Sequence, residues 1–488
     1  MSKTSSAQDQ AKEIKRLLQL GQGSSKQESL TSNEDASRLD SIRRIFQKLV
    51  PEMQLHLDPT RQNNASPAQI KWEAWLKKHH DIFLDQLCQR IRPQKLKHDN
   101  GNAGKRYALR VFFGVMAYMS TSREGYSLSK KARFIDENIM FRLMSAFCGA
   151  DVTDDDIASV GNIDNGMLQM LETEFILAYH DVRYFMLVAL MRLANQVRIR
   201  NDAHVVQYSS TVVDNIVRCA LVIDIAKDQE ELSNAVEADT FLVTPPKDDE
   251  NYESISSDDE DEESDDESDI EETLNENGKR KQTEKNYPKK RRSGISFIQR
   301  ISRYRRILGN MWLSLLQLSD IPPKTQRKVL QFLSTDVIPN MHTPLQLADY
   351  FTLSYDYGGV TSLLALNGLF VLMTEYGLEY PKFFTSLYAL INIQAFYAKH
   401  RVRFFKLLST CLSFSHMLPS YIVAAFIKRL TRCALSAPPS GALFVLALVS
   451  NLMRKHKSCR TLVCKDESNE NIEDFFDAET DVPEDCRG

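Results

Sequence analysis

The run Asp349-Tyr350-Phe351-Thr352-Leu353-Ser354-Tyr355-Asp356-Tyr357-Gly358-Gly359 passes directly into Val360 to Met373, fourteen residues without a charge. Two adjacent glycines allow the tight turn between helices that a Cβ would obstruct. Leu363 to Met373 is apolar on more than one face, so as a helix it has to be sandwiched between neighbours or sit in a membrane. Asn367-Gly368 inside it predicts a kink or the close approach of a second helix. Asp349 and Asp356 are candidates for capping or pairing within the fold. A membrane span needs about 20 predominantly apolar residues. Glycines and polar residues interrupt Tyr357 to Thr374, His416 and Pro419 interrupt Leu407 to Ile427, and Pro438 and Pro439 interrupt Cys433 to Met453. Core helices are therefore the preferred reading of all three.

The same spacing extends outward in both directions. Leu39, Ile42, Ile45, Phe46 and Leu49 fall three or four apart before Pro51, and Trp72, Trp75, Leu76, Phe83, Leu87 and Ile91 do so before Pro93. Helices are predicted also around Tyr107 to Met116 and over Phe134 to Phe147, Met167 to Tyr179, Val182 to Val197 and Thr211 to Ile225. Thr343-Pro344, Pro381, Pro419 and Pro438-Pro439 mark later boundaries. No alternating Val, Ile and Thr run argues for strands. The expected fold is all-α, a helical-repeat (HEAT- or armadillo-like) solenoid in two parts joined by a disordered charged linker. The predicted divisions are a mostly mobile tail over 1–36 with a short helix near Ile14 to Leu20, an amino-terminal helical domain over 37–240, a linker over 241–294, a second helical domain over 295–464 and an acidic tail over 465–488.

The linker carries most of the charge asymmetry. Asp248 to Glu272 holds 16 acidic and no basic residues, and Lys279 to Arg306 holds 12 Lys or Arg against Glu284. The remaining 49 basic and 48 acidic residues balance, which predicts two neutral folded parts on either side of a solvated tether. Lys279-Arg280 and Lys289-Lys290-Arg291-Arg292 form a two-cluster pattern suited to the acidic groove of an import receptor, with RNA phosphate as the other polyanion they could meet. Ser257, Ser264 and Ser268 each precede an acid by three residues, the pattern of acidophilic phosphorylation. The polar start, Met1 to Gln10, has no secretory pattern, and the eight scattered cysteines form no C-x-x-C pair, as in a reducing compartment.

Catalytic patterns are absent. Gly101 to Arg106 lacks the spacer and the hydroxyl of a phosphate loop and is read as an ordinary loop. His456, Cys459 and Cys464 lack a fourth ligand for zinc, and His79-His80 is expected on a solvated helix face. No enzyme, cofactor or small-molecule substrate is implied.

Residues 304 to 463 resemble the CCAAT-binding-factor-like family of nucleolar complex proteins. Tyr304-Arg305-Arg306, Trp312 to Leu316, Asp349 to Gly359, Ser362 to Phe370, Leu378 to Phe383, Tyr388-Ala389-Leu390, Arg403-Phe404-Phe405, Val423 to Phe426, Lys428-Arg429-Leu430 and Ala437-Pro438-Pro439 carry the likeness. It implies a helical, non-catalytic scaffold of the nucleus and nucleolus that pairs with a larger processome protein. Such a factor supports rRNA processing, maturation and export of the small ribosomal subunit as part of a pre-ribosomal particle. A cargo-binding helical adaptor and a DNA-associated CCAAT-binding factor are the competing readings, the latter without a recognition helix to support it. Aromatic and Arg side chains near the motif, Tyr355, Tyr357, Tyr397, Arg401 and Arg403, are the candidates for partner contact. The family continues past an acidic stretch like Asp474 to Asp485 into a further helical segment. Stopping at Gly488 is expected to weaken partner docking and to uncover the apolar face near Phe444 to Met453.

Overall fold

The computed structural model describes residues 2–22, 32–53, 67–95, 102–121, 135–152, 159–202, 208, 210–224, 230–232, 240–243, 300–318, 320–399, 401–413, 418–463 and 483. Among them the chain is helical, with one isolated antiparallel bridge between Gln94 and Val160 and no β-strand. The amino-terminal half contains α1 (Ser2–Gln22), α2 (Ser32–Met53), α3 (Pro67–Ile91), α4 (Asn102–Thr121), α5 (Glu137–Cys148), α6 (Asn165–Leu171), α7 (His180–Asp202) and α8 (Ser210–Ala220). The second half contains α9 (Ile301–Leu316), α10 (Pro323–Phe332), α11 (Ala348–Tyr355), α12 (Gly359–Tyr376), α13 (Phe383–Ala389), α14 (Ile393–Tyr397), α15 (Arg401–Ser413), α16 (Ser420–Leu435) and α17 (Pro439–Lys455). Each helix packs on partners one to three elements away: α2 on α4, α5 on α7, α7 on α9, α10 on α12, α12 on α15, and α15 on α17. That is the stacked, solenoidal all-α architecture the periodicity predicts.

The amino-terminal layers are tied together by polar groups as well as by apolar surface. Arg38 on α2 is 5% exposed, and burial lowers its pKa. Its guanidinium donates to Asp35 Oδ1 (3.1 Å), to the Leu17 carbonyl (2.9 Å) and to Gln86 Oε1 (3.2 Å), while Gln86 donates to the Leu18 carbonyl (2.9 Å). Arg90 pairs with the same Asp35. These bonds fasten α1 to α2 and α3, and Ile14 and Leu18 are buried beneath it. Much of the stretch read as a mobile tail thus carries a docked helix, and α2 begins at Ser32 and runs past Pro51 to Met53. His80 also departs from its expected place. It is buried, with its ring edge-on to Phe46 (centroids 5.1 Å apart) and Nε2 3.2 Å from the Tyr118 hydroxyl, whereas His79 stacks on Trp75. Asn102 to Arg106, read as loop, opens α4.

The motif that opens the second half behaves as its composition requires. Gly358 (φ +78°) and Gly359 (φ +63°) make the turn between α11 and α12. Leu363 to Phe370 is almost wholly buried, with only Asn367 partly exposed. A helix apolar all round is covered here by α10, α11, α13 and α15. Gly359–Tyr376 is long and apolar enough to cross a membrane, but 56% of that window is buried inside the protein. Gly368 is the point of closest approach: a Cβ there would lie 2.3 Å from the ring of Phe351 on α11, itself fully buried.

The two halves share one packed core, so they meet directly as well as through the charged linker in sequence. Tyr304 on α9 is fully buried, donates its hydroxyl to the His180 carbonyl at the start of α7 (2.8 Å) and sets its ring edge-on to Tyr184 (5.1 Å). Thr325 at the start of α10 donates to Asp214 on α8 (2.5 Å). The Asp181 carboxylate, 1% exposed, accepts the backbone N–H groups of Val182 (2.9 Å), Leu242 (3.0 Å) and Val243 (3.0 Å), and the His180 N–H donates to the Thr240 carbonyl (3.1 Å). Residues 240–243 and Tyr304 are therefore held by the same turn of α7.

Two predictions follow from these packings. Gly368→Ala forces the Phe351 ring to move inside a filled core, at a cost of about 1–3 kcal/mol, seen as a lowered melting temperature; adding Phe351→Leu recovers part of the loss. Burial raises the Asp181 pKa to about 6 despite its backbone hydrogen bonds, and burial beside Arg183 lowers that of His180 to about 4. The fold is relieved of the Asp181 charge as pH falls through 6, but it loses stability as unfolded His180 takes up a proton below about 6.5. Asp181→Asn removes the first effect and leaves the second. Its melting temperature should fall more steeply than that of the parent between pH 6 and 4.5, and parallel curves would refute the assignment.

Candidate interaction surface

The sequence candidates separate into three groups in space. Lys279, Arg280, Lys289, Lys290, Arg291 and Arg292, with Ser257, Ser264 and Ser268, lie outside the described residues. Tyr355 and Tyr357 flank the end of α11. Tyr355 is half-buried and donates its hydroxyl to the Ser386 carbonyl (3.1 Å), while Ser362 donates to the Tyr355 carbonyl, so this ring braces α11 against α13. Tyr357, two residues further on, is 71% exposed at the glycine turn. Tyr397, Arg401 and Arg403 form the third group, where α14 hands over to α15. Tyr397 is exposed, and its hydroxyl donates to the Ser436 carbonyl just beyond α16 (2.8 Å). That bond brings the α14–α15 junction to the carboxyl end of α16, one turn past Arg432. Arg401 is half-buried, and Arg403, Arg432 and Lys399 are exposed.

The balanced charge of the folded parts hides a local imbalance. From Tyr380 to Lys465 the chain has 13 Lys or Arg and no Asp or Glu, and from Asp466 to Asp485 it has 10 acids and no Lys or Arg. The block covering α13 to α17 is therefore uniformly cationic. Most of its cations reach solvent, including Lys399, Arg403, Lys406, Arg432, Arg454, Lys455, Lys457 and Arg460. Arg429 faces inward instead. Its Nε donates to the Ile391 carbonyl (2.8 Å), and its guanidinium lies 4.4 Å from the centroid of the Tyr388 ring. Arg401 and Arg403 occupy the first turn of α15, the end where the helix dipole is already positive. Helix stability does not account for them there. A charge count restricted to this window would have found the block; summing over both folded parts cancelled it.

Apolar side chains are exposed on the same block. Val402, Tyr421, Leu435, Leu443, Leu446 and Val463 all exceed half exposure, with Leu435 at 88%. On α17 the buried set is Gly441, Val445, Leu448, Val449 and Leu452, and Phe444 stacks on Phe405 (4.2 Å between centroids). Leu443 and Leu446 lie on the opposite face. Among the described residues the helix over Ala442 to Met453 is thus covered on one side only, unlike α12.

The neighbouring thiol is structural in its surroundings. Cys459 is buried, donates to the Ser420 carbonyl (3.7 Å), and has its pKa raised by burial, while Cys464 lies outside the described residues. Among the described residues no three His, Cys, Asp or Glu side chains are grouped to hold a metal.

Comparison with known proteins bears on this carboxyl-terminal block. The model of the CBF/Mak21 family matches residues 362–487. The Nucleolar complex protein 4 homolog of Gallus gallus is 37% identical over 214 residues, covering 41% of this chain and 42% of the relative. The Homo sapiens protein of the same name is 42% identical over 190 residues, covering 39% and 36%. Protein NUCLEOLAR COMPLEX ASSOCIATED 4 of Arabidopsis thaliana is 44% identical over 173 residues, covering 36% and 29%. These matches span less than half of each relative's own length. The likeness of this chain to the CBF/Mak21 family is carried by residues 362–487.

Proposed function

We propose that this chain is a non-catalytic nucleolar factor of ribosome biogenesis, acting as a helical scaffold in small-subunit assembly. The observation that carries the reading is the identity of about 40%, over about 40% of the chain, with proteins named for a nucleolar complex. The architecture supports it: a long stack of helices offers extended surfaces to other macromolecules, and the described residues present no grouped metal ligands. The two-cluster basic pattern Lys279-Arg280 and Lys289 to Arg292 supplies nuclear import through a receptor. A larger nucleolar protein is the partner, and the exposed face of α17 at Leu443 and Leu446 is where an apolar helix or strip of that partner gains most by docking.

Purification of the tagged chain from cells should recover a larger nucleolar protein together with precursor rRNA, and depletion should lower small subunits while large subunits persist. Undisturbed small-subunit output would reject the proposal. Leu443→Lys with Leu446→Lys leaves a buried set untouched, so stability should change by no more than about 0.5 kcal/mol. Recovery of the protein partner should drop several-fold, and unchanged recovery would exclude this face.

A further inference from the structure

We infer that the cationic block around the α14–α15 junction and the carboxyl end of α16 binds the phosphate backbone of RNA directly. The inference deepens the ribosome-biogenesis reading and rests on it for the choice of RNA over DNA.

The site is assembled by tertiary structure. Tyr397, Lys399, Arg401 and Arg403 are close in sequence, and the hydroxyl bond from Tyr397 to the Ser436 carbonyl sets them beside Arg432, which comes from a different helix. On α16, Tyr421, Lys428 and Arg432 recur at helical spacing along one face, and Tyr421 is exposed. Exposed aromatic rings among Lys and Arg are what an unpaired nucleic acid strand requires, since phosphates meet the cations and bases stack on the rings. The positive start of α15 adds to the same field.

The sign pattern favours a polyanion over a folded protein. Protein interfaces fix register by matching a patterned charge distribution to its complement on the partner. Here 86 residues from Tyr380 to Lys465 contain no carboxylate side chain at all, so the block carries charge without a pattern. A phosphate backbone is the uniform counter-charge that needs none. The apolar face of α17 at Leu443 and Leu446 is a separate feature, so protein and RNA need not compete for one surface. The stretch Asp466 to Asp485, with 10 acids, is a polyanion within the same chain and the natural rival for the block.

The test is fluorescence anisotropy of a labelled 20-nucleotide oligouridylate with the full chain, titrated from 50 to 300 mM KCl. Binding should weaken steeply with salt, by a logarithmic slope of roughly 0.7 per phosphate contact. Arg401→Gln with Arg403→Gln and Arg432→Gln should weaken binding at least tenfold at 100 mM KCl and flatten the slope by about 2. Arg403→Gln with Arg432→Gln, which spares half-buried Arg401, should retain the parent's melting curve and still lose several-fold. Neutralising Lys289 to Arg292 should cost less than the triple variant. The inference is overturned if the patch variants bind like the parent, or if the linker variant alone abolishes binding. It is also overturned if the full chain ignores RNA while carbodiimide joins Lys399 to carboxylates of Asp466 to Asp485, which would give the block to the chain's own acidic stretch. None of these outcomes bears on whether the protein is recovered with nucleolar partners, so the two readings fail separately.

Discussion

The burial of Tyr304 against the start of α7 is the contact on which the continuity of the stack depends. A phenol ring removed from water gains apolar burial only if its hydroxyl finds a partner, and the His180 carbonyl, whose oxygen has two lone pairs, supplies one. Around that ring, Tyr184, Arg183 and Asp181 close the seam, with Arg183 donating to the Ile176 and Leu177 carbonyls. Together with the bond from Thr325 on α10 to Asp214 on α8, this seam joins α9 and everything stacked after it to the amino-terminal half. With it, the stack runs as one core from α1 to α17.

A second constraint is electrostatic. The molecule is close to neutral as a whole, with a formal net charge of −4. Its charges are nevertheless sorted by position: an acid-rich and then base-rich run in the middle, an acid-free helical block from Tyr380 to Lys465, and a base-free acidic stretch from Asp466 to Asp485. In the amino-terminal half, by contrast, acids and bases are mixed and pair locally, as in Arg92 with Asp151 (2.8 Å), Arg110 with Glu174 (2.5 Å) and Arg142 with Asp85 (2.5 Å). Such surface pairs stabilise little individually. Their presence in the amino-terminal half and the lack of carboxylates from Tyr380 to Lys465 set a neutral platform apart from a cationic end.

What the sequence made legible follows from the range of the forces involved. Helix identity is a local property, so apolar spacing located α7, α8 and α12 within a few residues, and Gly358-Gly359 and Gly368 declared the turn and the close approach around α12. Long-range placement was less accessible. Nothing in the spacing around His80 distinguishes a solvated face from the cavity beside Phe46 and Tyr118, because the neighbours that decide it come from α2 and α4. Ser2 to Gln22 is too polar to announce more than the short helix near Ile14 to Leu20, and only the buried partner Arg38 explains why Ile14 and Leu18 are covered. For the candidate surface, residue type pointed to Tyr397, Arg401 and Arg403 but equally to Tyr355, whose hydroxyl serves the fold. Arg432 joined the group only through a hydrogen bond between α14 and the end of α16.

Because Val243 and Tyr304 are pinned to one turn of α7, the intervening charged sequence is a bight whose two ends are clamped side by side. Closing such a loop costs entropy that grows only with the logarithm of its length, about 0.6 kcal/mol for each doubling. Evolution can therefore lengthen it, shorten it or rewrite its composition while the helices on either side keep their registry, much as a pendant can be exchanged without restringing the necklace.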